Sequence, residues 1–142
     1  MPDSFDLSRF LTAQAVNYAD ALAEVRDGCK VSHWMWYVFP QVAGLGHSSM
    51  AQKFAITGVD EVAAYLADPV LGPRLAECCD AALAVDGKSA FDIFGTPDDM
   101  KLRSCVTLFA AVSPGGVFNE MLDKFFAGEP DRRTLKLIGR VS

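Results

Sequence analysis

Both histidines and both tryptophans of this chain fall within residues 30–49, KVSHWMWYVFPQVAGLGHSS. His33 could carry a proton near neutral pH, because an unperturbed imidazole titrates at about pH 6.5. Trp34 and Trp36 offer flat aromatic faces against which a ligand could pack. Bulky apolar side chains are equally typical of a buried core. The segment therefore predicts the centre of the fold and one wall of a site.

A glycine-rich loop follows the tryptophans. Gly44 and Gly46 flank a leucine, and Ser48 or Ser49 is expected to cap the next helix. Free backbone N–H groups at a helix start can bind an anion. The loop is not a dinucleotide-binding fingerprint, because the third glycine is missing and no βαβ unit surrounds it. The alternative is an ordinary turn with a serine cap.

A charged cluster opens a helix later in the chain, at Thr96-Pro97-Asp98-Asp99. Lys101 lies in the first two turns of that helix, where the macrodipole disfavours a cation. A surface pair with Asp98, three residues away, would offset this effect. Alternatively, Lys101 and Ser104 lie on one helical face and bind a polar or phosphorylated ligand. Asp98 is expected to be a cap, or alternatively a general acid or base.

Metal and nucleophile motifs are weak in this sequence. Cys29 and His33 are four residues apart, yet no CxxC or HExxH pattern accompanies them. Cys105 lies among apolar residues, and no GxSxG motif is present. We therefore expect no metal and no cofactor. These patterns do not distinguish an enzyme from a binding protein.

The composition limits the class of partner. The 142 residues carry a net charge of −5, and 51% of them are hydrophobic. An acidic chain lacks the basic face of a general nucleic-acid binder, and no apolar run approaches the roughly 20 residues of a membrane span. The first ten residues are acidic and show no apolar signal-peptide core, so we expect a cytoplasmic protein without nucleic-acid or membrane partners.

Apolar periodicity and cap signals predict helices along almost the whole chain. Residues 32–39 fit either a short helix or a strand. Gln14 falls on the apolar stripe of the first helix, so it is either a surface-edge residue or a buried anchor. Arg132 and Arg133 are expected to form a solvated helix start. We predict an all-α fold, a single domain over residues 1–142 with seven to nine helices. Predicted helices span residues 6–26, 49–56, 58–67, 69–85, 89–94, 97–112, 118–126 and 130–139.

Several motifs occur together in a specific spacing. They are FDL at 5–7, HWMW at 33–36, FPQ at 39–41, GLG at 44–46, LGPRL at 71–75, IFG at 93–95 and TLF at 107–109. On these motifs the chain resembles a bacterial family catalogued as domain of unknown function 1810, some members of which carry a calpastatin label. The resemblance implies a small all-helical fold and favours a helix at residues 32–39. It implies no activity.

Two functions are open from the sequence. The first is a small-molecule-binding or hydrolytic domain for a polar, phosphate-bearing ligand. The second is a non-catalytic interaction domain with an unidentified protein partner, in which the same residues are chiefly core. Convergence of His33, Gln41 and Lys101 in one pocket would favour the first, whereas a buried His33 and a Lys101 on open surface would favour the second. The first function would use Trp34 and Trp36 as walls, Gln41, Gly44, Gly46, Ser49 and Ser104 as polar contacts, Lys101 as the counter-charge, and His33 or Asp98 as proton carrier.

Overall fold

A computed structural model describes residues 5–140, and the regular structure in this range is entirely helical. A single parallel bridge between Val42 and Ile56 is the only β-type pairing within it. The all-α prediction is therefore confirmed. None of these helices combines the length and the apolar character needed to cross a membrane. Residues 5–140 contain nine helices: α1 (Ser8–Arg26), α2 (Met35–Val38), α3 (Ser49–Lys53), α4 (Val59–Ala67), α5 (Leu71–Leu83), α6 (Ala90–Phe94), α7 (Asp98–Val112), α8 (Val117–Phe126) and α9 (Arg132–Leu137).

Short polar side chains cap the starts of α3 and α6, and the sequence predicts a cap at Ser48 or Ser49. The Ser48 hydroxyl accepts a hydrogen bond from the Ala51 N–H (3.1 Å), which makes Ser48 rather than Ser49 the cap of α3. Ser89 and Asp92 form a reciprocal capping box at α6. Such caps satisfy backbone N–H groups that have no partner within the helix.

The start of α7 differs from its prediction. Pro97 occupies the N-cap position, and no side chain caps the helix. The expected caps at Thr96 and Asp98 are therefore wrong. The Asp98 carboxylate is turned to two lysines instead, and this places it in the candidate site described below.

Residues 34–39 form the aromatic centre of the core. Trp34 and Phe39 are completely buried, and α2 between them is a helix, which excludes the alternative strand. The Phe94 ring meets both, with centroids 6.4 Å from Trp34 and 5.7 Å from Phe39, close to perpendicular in each case. Edge-to-face geometry of this kind is favourable between aromatic rings. α6 is thereby held against the segment that carries α2.

Helix α7 is the central element of the packing. It contacts α4, α6, α8 and α9, while α1 packs against α5 and α2. One connected apolar core extends from α1 to α8. Helix α7 is buried from Ser104 to Ala110, and its first turns reach solvent beside α2 and the loop that follows α2.

Gln14 is a buried anchor rather than a surface-edge residue, with only 2% of its surface exposed. Its side-chain amide donates to the Tyr37 carbonyl (2.7 Å) and to the Tyr65 hydroxyl (3.2 Å). These bonds offset the cost of burying a polar group. They also tie α1 to α2 and α4.

Candidate functional site

Two adjoining clefts open beside the start of α7. The first, here called the His33 cleft, has a volume of about 280 Å³. The second, the Gln41 cleft, has a volume of about 240 Å³. Pro97 and Lys101 line both, so the two clefts share one wall. The other residues lining the His33 cleft are Lys30, His33, Met35, Trp36, Thr96 and Asp98. The Gln41 cleft is completed by Gln41, Leu45, Gly46, Met100, Ser104, Asp131 and Arg133.

The His33 cleft contains one carboxylate between two ammonium groups. Lys30 Nζ lies 2.8 Å from one oxygen of Asp98, and Lys101 Nζ lies 3.7 Å from the other. Two cations against one carboxylate leave one positive charge in excess. Lys30 is almost buried, with a side chain 6% exposed, and it also donates to the Ser32 carbonyl. Lys101 is 29% exposed and more loosely paired, so its charge is the one available to a ligand.

The two tryptophans have different environments. Trp36 lines the His33 cleft, and Lys101 Nζ lies 5.2 Å from the centre of its ring. A cation at this distance from an indole face is held by the ring quadrupole, so Trp36 positions Lys101. Trp34 has no exposed surface, and its indole N–H donates to Glu24 (2.9 Å). The prediction that Trp34 forms a wall of the site is therefore wrong, because its aromatic ring is packed inside the core.

The glycine-rich loop contributes less than its sequence suggests. Gly46 lines the Gln41 cleft, but Gly44 lies against Leu137 beside a crevice of only about 10 Å³. Ser49 is the exposed first residue of the five-residue α3 and lines none of these openings. Gly44 and Ser49 are thus not placed to contact a ligand in either cleft.

Ser104 borders the Gln41 cleft but has a structural partner. Its hydroxyl is 2.8 Å from an Asp131 carboxylate oxygen, and the Asp131 N–H donates to Thr107 (2.9 Å). Asp131 also caps α9 through the Thr134 N–H. Ser104 and Thr107 therefore dock α9 onto α7, and the predicted ligand contact by the Ser104 hydroxyl conflicts with that bond.

The predicted convergence of three polar side chains occurs in part. His33 is exposed in one cleft, Gln41 lies in the other, and Lys101 borders both. Within residues 5–140, no hydrogen bond engages the side chain of His33 or Gln41, so both are open to a ligand. His33 is not buried and Lys101 is not on open surface, so the two conditions set for a purely structural role are not met.

Two cations of the site were missed in the sequence. Lys30 precedes the aromatic segment, but only the fold brings it to Asp98. Arg133 was expected to be a solvated charge, and it is exposed, yet it lines the Gln41 cleft because α9 docks on α7. No local signal marks either residue, since both depend on contacts between distant parts of the chain.

Three of the four cysteines are buried. Burial raises the pKa of the Cys78 thiol to about 12, and burial also raises the pKa of Cys105 well above its usual 9.0. Such thiols stay protonated at neutral pH. Cys29 is exposed, but no group of three or more His, Cys, Asp or Glu side chains in the described range is arranged to hold a metal ion.

Glu24 holds the segment that carries Lys30 and His33. Its carboxylate accepts from the N–H groups of Val31 (2.7 Å) and Ser32 (2.8 Å), from the Ser32 hydroxyl (2.7 Å) and from Trp34. Burial acts to raise the pKa of Glu24, but these hydrogen bonds outweigh it and lower the pKa from 4.5 to about 2. Glu24 had no role in the sequence analysis.

Replacing Glu24 by glutamine should therefore change the acid sensitivity of the fold. The lowered pKa contributes stability above pH 4.5 that is lost as the pH falls toward 2. We expect Glu24→Gln to reduce the free energy of unfolding by about 2 kcal/mol at pH 7 and by progressively less between pH 5 and pH 3. Urea denaturation at each pH measures this.

The control is Glu129→Gln. Glu129 is exposed, and its side chain makes no ion pair or hydrogen bond with residues 5–140. Its replacement should alter stability by less than about 0.5 kcal/mol. A deficit in Glu24→Gln that stays constant from pH 7 to pH 3 would contradict the role assigned to the carboxylate.

Comparison with known proteins places the chain among relatives without an assigned activity. The family model DUF1810, described as a protein of unknown function, matches residues 4–138. A comparison with curated proteins finds no match. The crystal structure of the conserved hypothetical protein Rv1873 from Mycobacterium tuberculosis is similar over 99% of this chain and 100% of its own, with a TM-score of 0.95 and 46% sequence identity.

Proposed function

Because this chain belongs to the DUF1810 family, whose description assigns no activity, we propose its function from its own residues: it binds a small phosphate-bearing molecule at the His33 cleft. Lys101 is the main contact to the phosphate. Asp98 serves as the counter-ion of Lys30 and Lys101 rather than as a proton carrier, because an ammonium group faces each of its oxygens. His33 is the group placed to exchange a proton with the ligand.

The observation that carries this proposal is the only partly compensated ammonium of Lys101. It is held over Trp36 and shares Asp98 with the nearly buried Lys30. The whole chain has a net charge of −5. A local excess of positive charge therefore makes this cleft more favourable for an anionic ligand than the rest of the surface. Thr96 and His33 line the same cleft and can donate to the remaining phosphate oxygens.

The test compares phosphorylated compounds with their unphosphorylated counterparts. Ribose 5-phosphate and AMP are titrated beside ribose and adenosine, and binding is followed by calorimetry and by the thermal midpoint. A ligand at about 100 times its Kd should stabilise the protein by about 2.7 kcal/mol. We expect only the phosphorylated compounds to bind. In Lys101→Ala, the loss of a charge-assisted contact should weaken binding by roughly 10- to 100-fold.

Two control variants separate the charge from general effects. Lys101→Arg keeps a cation and should retain most of the binding, while Lys53→Ala removes an exposed lysine that lines neither cleft. The proposal is wrong if phosphate confers no advantage, or if Lys101→Ala binds as the parent protein does. Either result would favour the alternative of a non-catalytic interaction domain.

A further inference from the structure

The two clefts together are the size of one ligand site. Neither volume, about 280 Å³ or about 240 Å³, reaches the roughly 300–1,000 Å³ of an ordinary small-molecule pocket, whereas their combined volume does. Because Pro97 and Lys101 line both clefts, a phosphate held at Lys101 would border both. The Gln41 cleft is therefore the place for the remainder of a ligand whose phosphate lies at Lys101.

Part of the wall of the Gln41 cleft is apolar. Leu45, Pro97 and Met100 line it, and Met100 keeps 54% of its surface exposed. Apolar side chains of this kind pack against the faces of a flat ring. Charged side chains line the Gln41 cleft as well, as they do the His33 cleft.

Gln41 supplies the hydrogen-bonding group of this cleft. Its side-chain amide offers two donor hydrogens and one carbonyl acceptor, and no side chain or backbone group within residues 5–140 engages it. Its backbone is fixed, because the Gln41 carbonyl accepts from the Ile56 N–H (2.9 Å) and the Ala43 N–H donates to the Ile56 carbonyl (2.8 Å). A glutamine amide on a fixed backbone is suited to pair with adjacent donor and acceptor atoms on a heterocycle edge, as with N6 and N7 of adenine.

Arg133 completes the cleft at its solvent side. The residue is exposed, and α9 is held in place by the Ser104–Asp131 hydrogen bond. A guanidinium group is planar and stacks on aromatic faces, so Arg133 can cover the outer face of a ring that enters between Leu45 and Met100.

From this arrangement we infer that the ligand is a nucleotide, with its base in the Gln41 cleft and its phosphate at Lys101. The inference rests on the proposed phosphate site and adds the class of the organic group. A sugar phosphate without a base would leave Gln41, Leu45 and Met100 without a contact.

The test uses two probes with the same sugar and phosphate: AMP, which carries a base, and ribose 5-phosphate, which does not. Their Kd values are measured by calorimetry for the parent protein, Gln41→Ala, Met100→Ser and Lys101→Ala. We expect the parent to bind AMP at least about tenfold more tightly than ribose 5-phosphate. Gln41→Ala and Met100→Ser should each remove about tenfold of AMP affinity and leave ribose 5-phosphate unchanged, and Lys101→Ala should weaken both probes.

Both cleft variants change exposed or half-buried side chains, and a thermal midpoint for each confirms that it is folded. Equal affinity for the two probes, with both weakened in Lys101→Ala, would overturn the base-binding cleft and leave the phosphate site standing. An equal loss of both probes in Gln41→Ala would also overturn it, because Gln41 would then act at the phosphate. If neither probe binds, the phosphate site fails and the nucleotide inference fails with it.

Discussion

Replacing Arg9 by methionine is expected to lower the free energy of unfolding by about 3–5 kcal/mol. Arg9 forms an ion pair with Glu61 at 2.8 Å, in which the arginine side chain is 14% exposed and the glutamate side chain 1%. Removing the guanidinium leaves a carboxylate charge buried without its counter-ion. Most domains have only about 5–15 kcal/mol of total stability, so this loss is a large fraction of it.

Arg9 also joins α1 to the segment that leads into α4. Its guanidinium donates to the carbonyl oxygens of Lys53 and Ala55, both at 2.8 Å. Glu61 in turn accepts from the N–H and the hydroxyl of Thr57. Thr57 therefore binds Glu61 and does not cap α4, whose N-cap is Gly58. The substitution removes the hydrogen bonds of the guanidinium together with the ion pair, which places the expected effect at the upper end of the range for single changes.

The matched control is Arg26→Met. Arg26 and Glu77 also form an ion pair, but their separation is 3.9 Å and their side chains are 61% and 48% exposed. Solvent screening reduces the value of such a pair to at most about 1 kcal/mol. Urea denaturation followed by circular dichroism measures both variants. If Arg9→Met lowers the free energy of unfolding by no more than Arg26→Met does, the buried pair does not stabilise the fold as expected.

The helices could be predicted because their signals are local. The helices predicted at residues 89–94 and 118–126 depend on signals within one or two turns, and both form at those places. Asp98 shows the limit of this reasoning. Its position favours a cap, but its partner Lys30 comes from a distant part of the chain, and only the packing of α6 and α7 brings the two together.

The candidate site could be predicted in part for the same reason. Lys101 was identified because a cation is disfavoured at the start of a helix, and a local electrostatic argument suffices for that. The sequence could not separate Trp34 from Trp36, which differ by two positions and have the same chemistry. The two residues differ in burial: Trp34 is completely buried in the core, while Trp36 lies beside Lys101. Arg133 depends on the docking of α9 and has no local signal.

Replacing Gly72 by alanine is expected to destabilise the protein by about 3 kcal/mol. Gly72 is buried at the second position of α5, and an added Cβ would lie 2.3 Å from the Leu66 carbonyl oxygen and 3.1 Å from its carbon. Both are backbone atoms near the end of α4, so no side-chain rotation can relieve the contact. The Asp68 carboxylate, which accepts from the N–H groups of Val70 and Leu71, further fixes the short connection between the helices.

The expected loss of stability in Gly72→Ala is a sharp test, because helix propensity alone predicts a gain. Alanine is better than glycine inside a helix by about 1 kcal/mol, so Gly72→Ala would stabilise the protein if α4 and α5 were free to separate. Gly116→Ala is the control: Gly116 is the N-cap of α8, and nothing lies within 4 Å of its added Cβ. Alanine is less favourable than glycine at an N-cap, so that variant should lose about 1 kcal/mol, clearly less than Gly72→Ala. A Gly72→Ala protein as stable as the parent in thermal unfolding would show that the close approach of α4 to α5 does not constrain the fold.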